Sequence, residues 1–486
     1  MAELLPRISG TEVEYAIFSR YTTQAFHVPF TLMTGFIFNN HDPAIKISEG
    51  MLSNGARYYP DGHLLEYATP EETSFRGTAI RELAGERIVM DSMTRYITGH
   101  STMASALVRK RAISEVPDND GSSCGYHASL LADRRALGTL DDGTAELLGL
   151  HLATSLHLLG SGAIYLPKTP YAKYSYGQKT LDLGLDYDLS TNVAGKKPLI
   201  NLRDEPLSDL PDSRRIHITS LDPHISPWAI EMTLGTCSLV LRAIEQGYGR
   251  DLTQVVAGGT TLVSLSRRTS LHPTHNIQTE VFDKGDRKSI TTNDIQERII
   301  EIVSQTDHTD EEHRILEEWQ QAHHDYLLDP MSIADRSDAI SRLAMIRVWN
   351  AAKGLEPDDM TSQIAFAADS IYDRVFEIGT TRAPKGTDPT DAYHKTVTHK
   401  WRSSTFSNTM PTEQEIQDAY HNPPTTTRAY GRGRAILSGG TDVSRAQWDG
   451  YLYNGQKIQT QDPYEPDARM TSPTVPLQLA RGEDND

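Results

Sequence analysis

The segment from Asn54 to Glu71 brings together residue types that bind ligands and move protons. It contains three acids, an arginine, a histidine and three tyrosines, with turn signals at both ends. Arg57, Tyr59 and Asp61 alternate along it, so an extended strand would direct these side chains to one face. Such a face would be costly inside a core, because its polar groups would lose their contacts with water. We therefore expect this strand to belong to a binding or catalytic site.

A pair of glutamates near the N-terminus offers ligands for a metal ion. Residues 8–18 alternate in polarity, so a strand would place Glu12 and Glu14 together on the face opposite its apolar residues, roughly 7 Å apart. No basic residue lies between Arg7 and Arg20 to neutralise them. Paired carboxylates suit a hard divalent cation such as Mg²⁺, although a half-solvated strand would show the same pattern.

Two further positions could join such a site. Arg215 and His217 share one face of an extended segment, which would suit a phosphate or a metal, although an exposed sheet face looks the same in one dimension. His127 stands just before an apolar run, where a single histidine is more often structural than a ligand. On spacing alone, both readings stay open for these residues.

The charge of the chain narrows the classes of partner. The 486 residues carry a net charge of −18, which argues against a general nucleic-acid-binding protein. The densest basic stretch holds Arg428, Arg432 and Arg434 among glycines, a composition that allows the backbone to approach an anion closely. Three arginines in such a stretch can wrap an anion, so the acidic net charge does not exclude a local phosphate site.

The composition also bounds the compartment. No apolar run reaches the length of a membrane span, and the N-terminus lacks the basic and apolar regions of a signal peptide. Two cysteines, Cys124 and Cys237, provide no disulfide framework and no cysteine-based zinc site. The expectation is a cytoplasmic protein without a membrane partner.

Hydrophobic periodicity indicates the elements that must position these residues. It predicts helices at 76–98, 143–159, 227–246, 309–328 and 335–353, with further helices beginning at Thr292 and Thr412. Strands are predicted at 8–18 and from 199 into a turn at 206, and a short strand-like stretch contains Trp448. Segments 265–290 and 379–398 are predicted to be long polar loops, and the chain from Pro463 is predicted to be disordered.

Short motifs along the whole chain resemble one known family. In order, they are Gly10-Thr-Glu-Val-Glu-Tyr, Asn54-Gly-Ala-Arg-Tyr-Tyr with Asp61, Glu66-Tyr-Ala-Thr-Pro-Glu, Ala84-Gly-Glu-Arg, Asn201-Leu-Arg-Asp-Glu-Pro, Arg214-Arg-Ile-His-Ile, Asp294-Ile-Gln-Glu-Arg, Pro423-Pro-Thr-Thr-Thr-Arg-Ala and Trp448. Each is short, but their common order resembles the Pup ligase and depupylase (deamidase of Pup) family, within the glutamine-synthetase-like carboxylate–amine ligases.

The resemblance implies an α+β fold with a curved, mostly antiparallel sheet backed by helices, and a small C-terminal domain. The implied boundaries are residues 1–410 for the catalytic domain, 411–462 for the small domain and 463–486 for a disordered tail. Nucleotide and metal would lie over the concave face of the sheet. The implied cofactors are ATP or ADP with Mg²⁺, and the implied partner is Pup or a Pup-like protein.

The resemblance also implies a role for each site residue. The metal positions are Glu12, Glu14, Tyr59, Glu66, His127 and His217, of which Glu14 and the two histidines could instead contact phosphate. The nucleotide positions are Arg57, Thr69 and Trp448, together with Arg428 and Arg432 of the basic stretch. Asp61 matches the catalytic aspartate, and Arg203 could contact phosphate or an acyl-phosphate.

Two activities share this chemistry in the family. The ligase activates a carboxylate with ATP and transfers it to a lysine amine, whereas the depupylase hydrolyses an amide or isopeptide without consuming nucleotide at each turnover. The motif at Gly10 resembles the depupylase more closely. However, only 38 residues separate Tyr15 from Asn54, too few for the long loop typical of depupylases.

The substrate side departs from both activities. Leu64-Leu65 replaces a usual His-Pro, and Ala128-Ser129 replaces a usual Glu-Asn. The expected function is therefore a nucleotide- and Mg²⁺-dependent amide or isopeptide hydrolase. The alternatives are a carboxylate–amine ligase, on Pup or another carboxylate, and a binding protein that retains only the nucleotide site.

Overall fold

The computed structural model describes most of the chain. The described residues are 4–21, 38–39, 41–61, 64–99, 103–112, 124–134, 144–165, 172–181, 183–188, 197–201, 210–249, 261–271, 278–283, 286–378, 397–439, 442–466 and 469–470. Among these residues, no helix combines the length and apolar character needed to cross a membrane.

The strands fall into one large sheet, a small C-terminal sheet and two hairpins. In chain order they are β1 (Ser9–Tyr21), β2 (Ile47–Ser48), β3 (Met51–Leu52), β4 (Arg57–Asp61), β5 (Leu64–Ala68), β6 (Met103–Arg109), β7 (Tyr126–Asp133), β8 (Ala163–Tyr165), β9 (Lys173–Ser175), β10 (Leu183–Asp188), β11 (Lys197–Asn201), β12 (Ser213–Ile218), β13 (Gln278–Asp283), β14 (Asp286–Thr291), β15 (Arg374–Ile378), β16 (Val443–Gln447), β17 (Gly450–Tyr453), β18 (Gln456–Gln459) and β19 (Arg469–Met470).

The large sheet is organised around β1. Its path runs β10-β11-β12-β7-β1-β5-β4-β3-β2, and β6 joins the second half of β1 and carries β15. Apart from the parallel pair β10–β11, the recorded pairings in this sheet are antiparallel. Along β1 the apolar side chains are buried and the acidic ones are half-buried, as the alternation predicted.

The helices cover the apolar face of this sheet and build the rest of the core. They are α1 (Phe75–Gly99), α2 (Thr144–Thr154), α3 (Leu156–Leu159), α4 (Pro227–Glu245), α5 (Leu262–Leu271), α6 (Thr292–Val303), α7 (Asp310–Leu328), α8 (Asp338–Ala352), α9 (Gln363–Tyr372), α10 (Val397–Thr405), α11 (Glu413–His421) and α12 (Ala429–Gly439).

Helix α1 packs directly against the site-bearing strands. Its buried residues Leu83, Ala84 and Ile88 join the same core as Val13 of β1. At Gly85 the helix approaches β5 so closely that a Cβ atom would lie 2.2 Å from the ring of Tyr67. The glycine of the Ala-Gly-Glu-Arg motif is therefore needed for helix–sheet contact. The predicted α+β fold, with a large and mostly antiparallel sheet backed by helices, is confirmed.

The C-terminal sheet has its own small core. Strands β16 to β19 and α12 surround Ile436, Val443, Tyr451 and Ile458, and Met51 of the large sheet completes this cluster. By contrast, the buried residues of α11 belong to the main core. The predicted boundary at residue 411 stays a prediction. Strand β19 pairs with β18, and the chain beyond residue 470 lies outside the described residues.

Two expectations about local structure were wrong. The segment 265–290 is not one polar loop, because most of α5 and the β13–β14 hairpin lie within it. The many polar residues of α5 obscured its apolar periodicity in the sequence, although Leu262, Val263 and Leu265 are buried. In addition, Trp448 does not lie within a strand, since the chain turns there between β16 and β17. Most of the second predicted loop, 379–396, lies outside the described residues.

Candidate active site

Antiparallel pairing gathers the predicted ligands on the polar face of the large sheet. Glu12 lies opposite His127 of the neighbouring strand β7. On the other side of β1, Glu14 lies opposite Glu66 of β5, which in turn lies opposite Tyr59 of β4. Because side chains alternate across a strand, these residues project from the same face of the sheet.

The first cluster contains Glu12, His127 and His217, whose ligand atoms all lie within 4.8 Å of one another. Glu12 Oε2 is 3.2 Å from His127 Nδ1 and 3.5 Å from His217 Nε2. The second carboxylate oxygen of Glu12 accepts a hydrogen bond of 2.7 Å from Arg215. One carboxylate and two imidazoles therefore converge on one point.

The second cluster is made of carboxylates. Oxygens of Glu14, Asp61 and Glu66 lie within 4.8 Å of one another, and Tyr59 donates a hydrogen bond of 2.5 Å to Glu66 Oε1. Glu66 is buried, Glu14 is half-buried and Asp61 is exposed at the end of β4. The predicted catalytic aspartate thus stands at the open edge of a potential cation site.

The electrostatics of the two clusters differ. Burial raises the pKa of Glu66 to about 8, and the carboxylates of Glu12 and Glu14 add to this rise. Burial alone would also raise the pKa of Glu12, but its neighbours His127, His217 and Arg215 hold it well below its ordinary value. Burial lowers the pKa of His217, which favours the neutral imidazole that binds metals. Glu66 therefore needs added positive charge for full ionisation, whereas Glu12 does not.

Two local features fit a bound cation. His127 Nε2 is buried without a hydrogen-bond partner. A Cβ atom at residue 125 would lie 2.6 Å from Glu14 Oε1 and 3.0 Å from His127 Nε2, so Gly125 keeps the space between them open. Three carboxylates are suitable ligands for Mg²⁺, and the Glu–His–His set also suits softer divalent ions.

A pocket lies beside the first cluster. Its cavity volume is about 140 Å³, and it is open to solvent. Glu12, Arg215 and Arg428 contribute charge to its lining, while Thr69 and Trp448 line it near several apolar residues. The apolar part of the lining consists of Ile8, Ala68, Leu130, Leu131 and Pro463. Charged groups suit the phosphates of a nucleotide, and apolar groups suit its base.

Thr69 links two segments of the chain that line this pocket. Its Oγ1 accepts a hydrogen bond of 2.9 Å from the backbone N–H of Thr11. A Cβ atom on Gly10 would lie 3.2 Å from the same oxygen, so the glycine allows the two segments to approach. Three predicted nucleotide positions, Thr69, Arg428 and Trp448, line this one pocket.

Two predicted nucleotide ligands, Arg428 and Arg432, are joined to a half-buried acid, Glu71. Their guanidinium groups bind Glu71 at 2.7 and 2.6 Å, and Arg432 also donates to the Trp448 carbonyl at 2.9 Å. Burial would raise the pKa of Glu71, but the two arginines lower it to about 2. Arg428 lines the pocket and Arg432 is fully buried, so this ion pair anchors Trp448 beside β5.

Two predicted site positions remain, Arg57 and Arg203. The guanidinium of Arg57 stacks 4.5 Å from the ring centroid of Tyr59, and its buried Nε has no hydrogen-bond partner. Arg203 lies outside the described residues. Sequence reasoning assigned no site role to Glu71. It did place Arg215 on one face with His217, as a possible contact for phosphate or metal, and in the structure Arg215 donates to Glu12.

Comparison with known proteins shows the family. A family model described as Pup-ligase protein matches residues 7–374 and 389–452. The Pup deamidase/depupylase of Mycolicibacterium smegmatis is 26% identical over 411 residues, covering 83% of this chain and 75% of the relative. The Pup–protein ligase of Acidimicrobium ferrooxidans is 27% identical over 455 residues, covering 90% of each protein.

Solved structures agree with this assignment at the level of fold. The ligase PafA in its complex with the ubiquitin-like protein Pup aligns with a TM-score of 0.75 and 21% identity, over 95% of this chain and 89% of that chain. PafA in complex with ADP aligns with a TM-score of 0.68 and 21% identity, over 92% and 91%. Since the family model spans most of the sequence, the chain belongs to the Pup-ligase family.

Proposed function

We propose that this protein is a nucleotide- and Mg²⁺-dependent hydrolase of amide or isopeptide bonds, with Pup or a Pup-like protein as the acyl partner. The observation that carries the proposal is the position of Asp61. It is an exposed carboxylate at the edge of an acidic cluster and follows Tyr59 on the same strand face. The Gly10 motif, which resembles depupylases, and the depupylase relative at 26% identity support hydrolysis.

In this proposal, Asp61 activates a water molecule. The water oxygen forms a bond to the amide carbon while Asp61 takes a proton, and the C–N bond breaks as that proton passes to the departing nitrogen. The alternative is direct attack by Asp61 on the carbonyl carbon, followed by hydrolysis of the anhydride. Hydrolysis in ¹⁸O-water under single-turnover conditions separates them, because only direct attack can leave label in Asp61.

The other residues would hold the cofactors. Glu14 and Glu66 would bind a cation on one side of β1, and Glu12 would do so with His127 and His217 on the other. When bound, Mg²⁺ supplies positive charge that polarises phosphate or carbonyl oxygen. ATP or ADP would place its base near Trp448 and its phosphates near Arg215. The ADP complex of a ligase with the same fold supports a nucleotide in this role.

A carboxylate–amine ligase is the second candidate. The short distance between Tyr15 and Asn54, 38 residues, favours it, as does the 90% mutual coverage with a Pup–protein ligase. In that reaction ATP would phosphorylate a carboxylate, and Asp61 would remove a proton from the attacking amine. The two candidates use the same residues and differ in whether ATP is consumed.

One assay separates the candidates. The protein is incubated with ATP, Mg²⁺ and a Pup that ends in glutamine, while mass spectrometry follows the Pup and chromatography follows ADP. Conversion of the terminal amide to a carboxylate without matching ADP release supports the hydrolase. ADP release that requires a Pup ending in glutamate and an added amine supports the ligase instead.

Variants test the assignment of Asp61. Asp61→Asn should remove activity while ADP binding persists, because Asp61 does not line the nucleotide pocket. Asp358→Asn is a matched control, since Asp358 is an exposed acid paired with Arg347 on a distant helix. Full activity in Asp61→Asn would refute the catalytic assignment. Nucleotide binding without either reaction would instead indicate a binding protein.

A further inference from the structure

A buried group of charges lies beneath the cation-binding face, on the opposite side of the sheet. Glu82 and Glu86 of α1, Lys110 and Arg402 are each at most 1% exposed. Lys110 Nζ donates to both glutamates and, at 2.6 Å, to the His224 carbonyl. Arg402 binds Glu86 at 2.7 Å. Two acidic and two basic side chains therefore pair with one another inside the core.

Glu82 extends this network to the strands that carry the metal ligands. Its Oε2 accepts hydrogen bonds of 2.8 Å from Thr11 Oγ1 on β1 and of 2.8 Å from Tyr126 OH on β7. Thr11 immediately precedes Glu12, and Tyr126 immediately precedes His127. One buried carboxylate therefore binds the residue next to each of two predicted ligands.

The strand register makes this connection specific. Thr11 lies opposite Ala128, Glu12 opposite His127 and Val13 opposite Tyr126. The two donors to Glu82 are therefore diagonal neighbours on the lower face, on either side of the Glu12–His127 pair on the upper face. A sliding or twisting motion of β7 against β1 would have to stretch at least one of the two hydrogen bonds.

We infer that Glu82 is a positioning residue, which holds β1 and β7 so that Glu12 and His127 meet at the distance that a divalent cation requires. The inference rests on the proposed function, because it takes this cluster as a metal site. It explains why the Ala84-Gly-Glu-Arg motif has no group on the active face: Glu86 instead fixes Lys110, which fixes Glu82.

Mn²⁺ binding to the full-length protein tests this role without relying on activity. The free-ion signal in electron paramagnetic resonance gives the Kd for wild type, Tyr126→Phe and Thr11→Val. Each variant removes one hydroxyl donor to Glu82, and we expect the Kd to rise about tenfold, the lower end of the effect of outer-shell partners of metal ligands.

Two matched variants serve as controls. Thr11→Ser retains a hydroxyl donor and should restore wild-type affinity. Tyr15→Phe makes the same chemical change as Tyr126→Phe on β1, but the Tyr15 hydroxyl is buried without a hydrogen-bond partner, so its Kd should remain within about twofold of wild type. Thermal unfolding of all variants reports whether the fold is retained.

These measurements distinguish a failure of the positioning role of Glu82 from a failure of the metal site itself. If Tyr126→Phe and Thr11→Val lower the melting temperature but leave the Mn²⁺ Kd unchanged, the positioning role is overturned and the network is only structural. Glu12→Gln tests the site itself and should abolish binding there. If wild type and Glu12→Gln bind Mn²⁺ equally, the proposed metal site fails, and the positioning role fails with it.

Discussion

Binding of a divalent cation to the metal-free protein at pH 7 should release a proton from Glu66. The carboxyl is buried beside other acids, and its pKa of about 8 lies above neutrality. At pH 7 a group with that pKa is about 90% protonated, whereas a carboxylate that binds a cation is ionised. The expected release is therefore about 0.9 proton for each cation bound to the carboxylate cluster.

The same rise in the Glu66 pKa gives the free-energy cost of ionising Glu66 in the metal-free protein. The pKa rises from 4.5 to about 8, and at 1.36 kcal/mol per unit this corresponds to roughly 5 kcal/mol against ionised Glu66 without a cation. The folded state binds the proton more tightly than the unfolded state. The stability of the metal-free protein should therefore fall as pH rises from about 4.5 to about 8, and Mg²⁺ should restore it.

Isothermal titration calorimetry in two buffers of different ionisation enthalpy counts the protons. The difference in observed heat at pH 7 should correspond to about 0.9 proton, and at pH 9 to about 0.1, because Glu66 is then already ionised. Glu66→Gln is the control and should release almost none at either pH. A release near zero at pH 7 in wild type would refute the electrostatic reasoning about this cluster.

Three other substitutions test separate parts of the structure. Glu71→Gln should lower the free energy of unfolding by about 3 kcal/mol at pH 7, because folding lowers the Glu71 pKa from 4.5 to about 2. The difference between wild type and variant should disappear as pH falls from about 4.5 towards 2. Equal midpoints of chemical denaturation at pH 7 would contradict this. Gly85→Ala should destabilise the fold by about 1–3 kcal/mol, because the clash with the Tyr67 ring outweighs a gain of about 1 kcal/mol in helix propensity. A variant more stable than wild type would show that α1 and Tyr67 are not tightly packed. Trp448→Ala should weaken ADP binding about tenfold in calorimetry if the indole contributes a stacking contact of about 1–1.5 kcal/mol; unchanged affinity would place the nucleotide elsewhere.

The faces of the site strands could be predicted from the sequence, whereas their neighbours could not. Alternation along β1 and β4 depends only on the two-residue period of a strand, so the shared face of Glu12 and Glu14 follows directly from their spacing. The meeting of Glu14 with Asp61 and Glu66 depends on the antiparallel register of β1, β5 and β4. That register is set by turns and core packing, which one-dimensional spacing does not contain.

The partner of Arg428 and Arg432 also could not be predicted from the sequence. The stretch around Arg428 and Arg432 was predicted to bind an anion because basic residues stand among glycines. In the fold both bind a protein carboxylate, Glu71, which lies more than 350 residues earlier in the chain. Nothing in local sequence identifies such a distant partner. The glycines permit close packing instead, since a Cβ at Gly433 would lie 2.5 Å from a backbone oxygen of β3's neighbour Ser53.

We propose that one face of the large sheet holds two cation sites beside a nucleotide pocket. Crystals grown with ADP and Mn²⁺ test it most directly, through an anomalous difference map recorded at the manganese edge. We expect one peak between Glu12, His127 and His217 and another between Glu14, Asp61 and Glu66, with the adenine base beside Trp448. Manganese bound away from both clusters, or ADP bound outside this pocket, would contradict it.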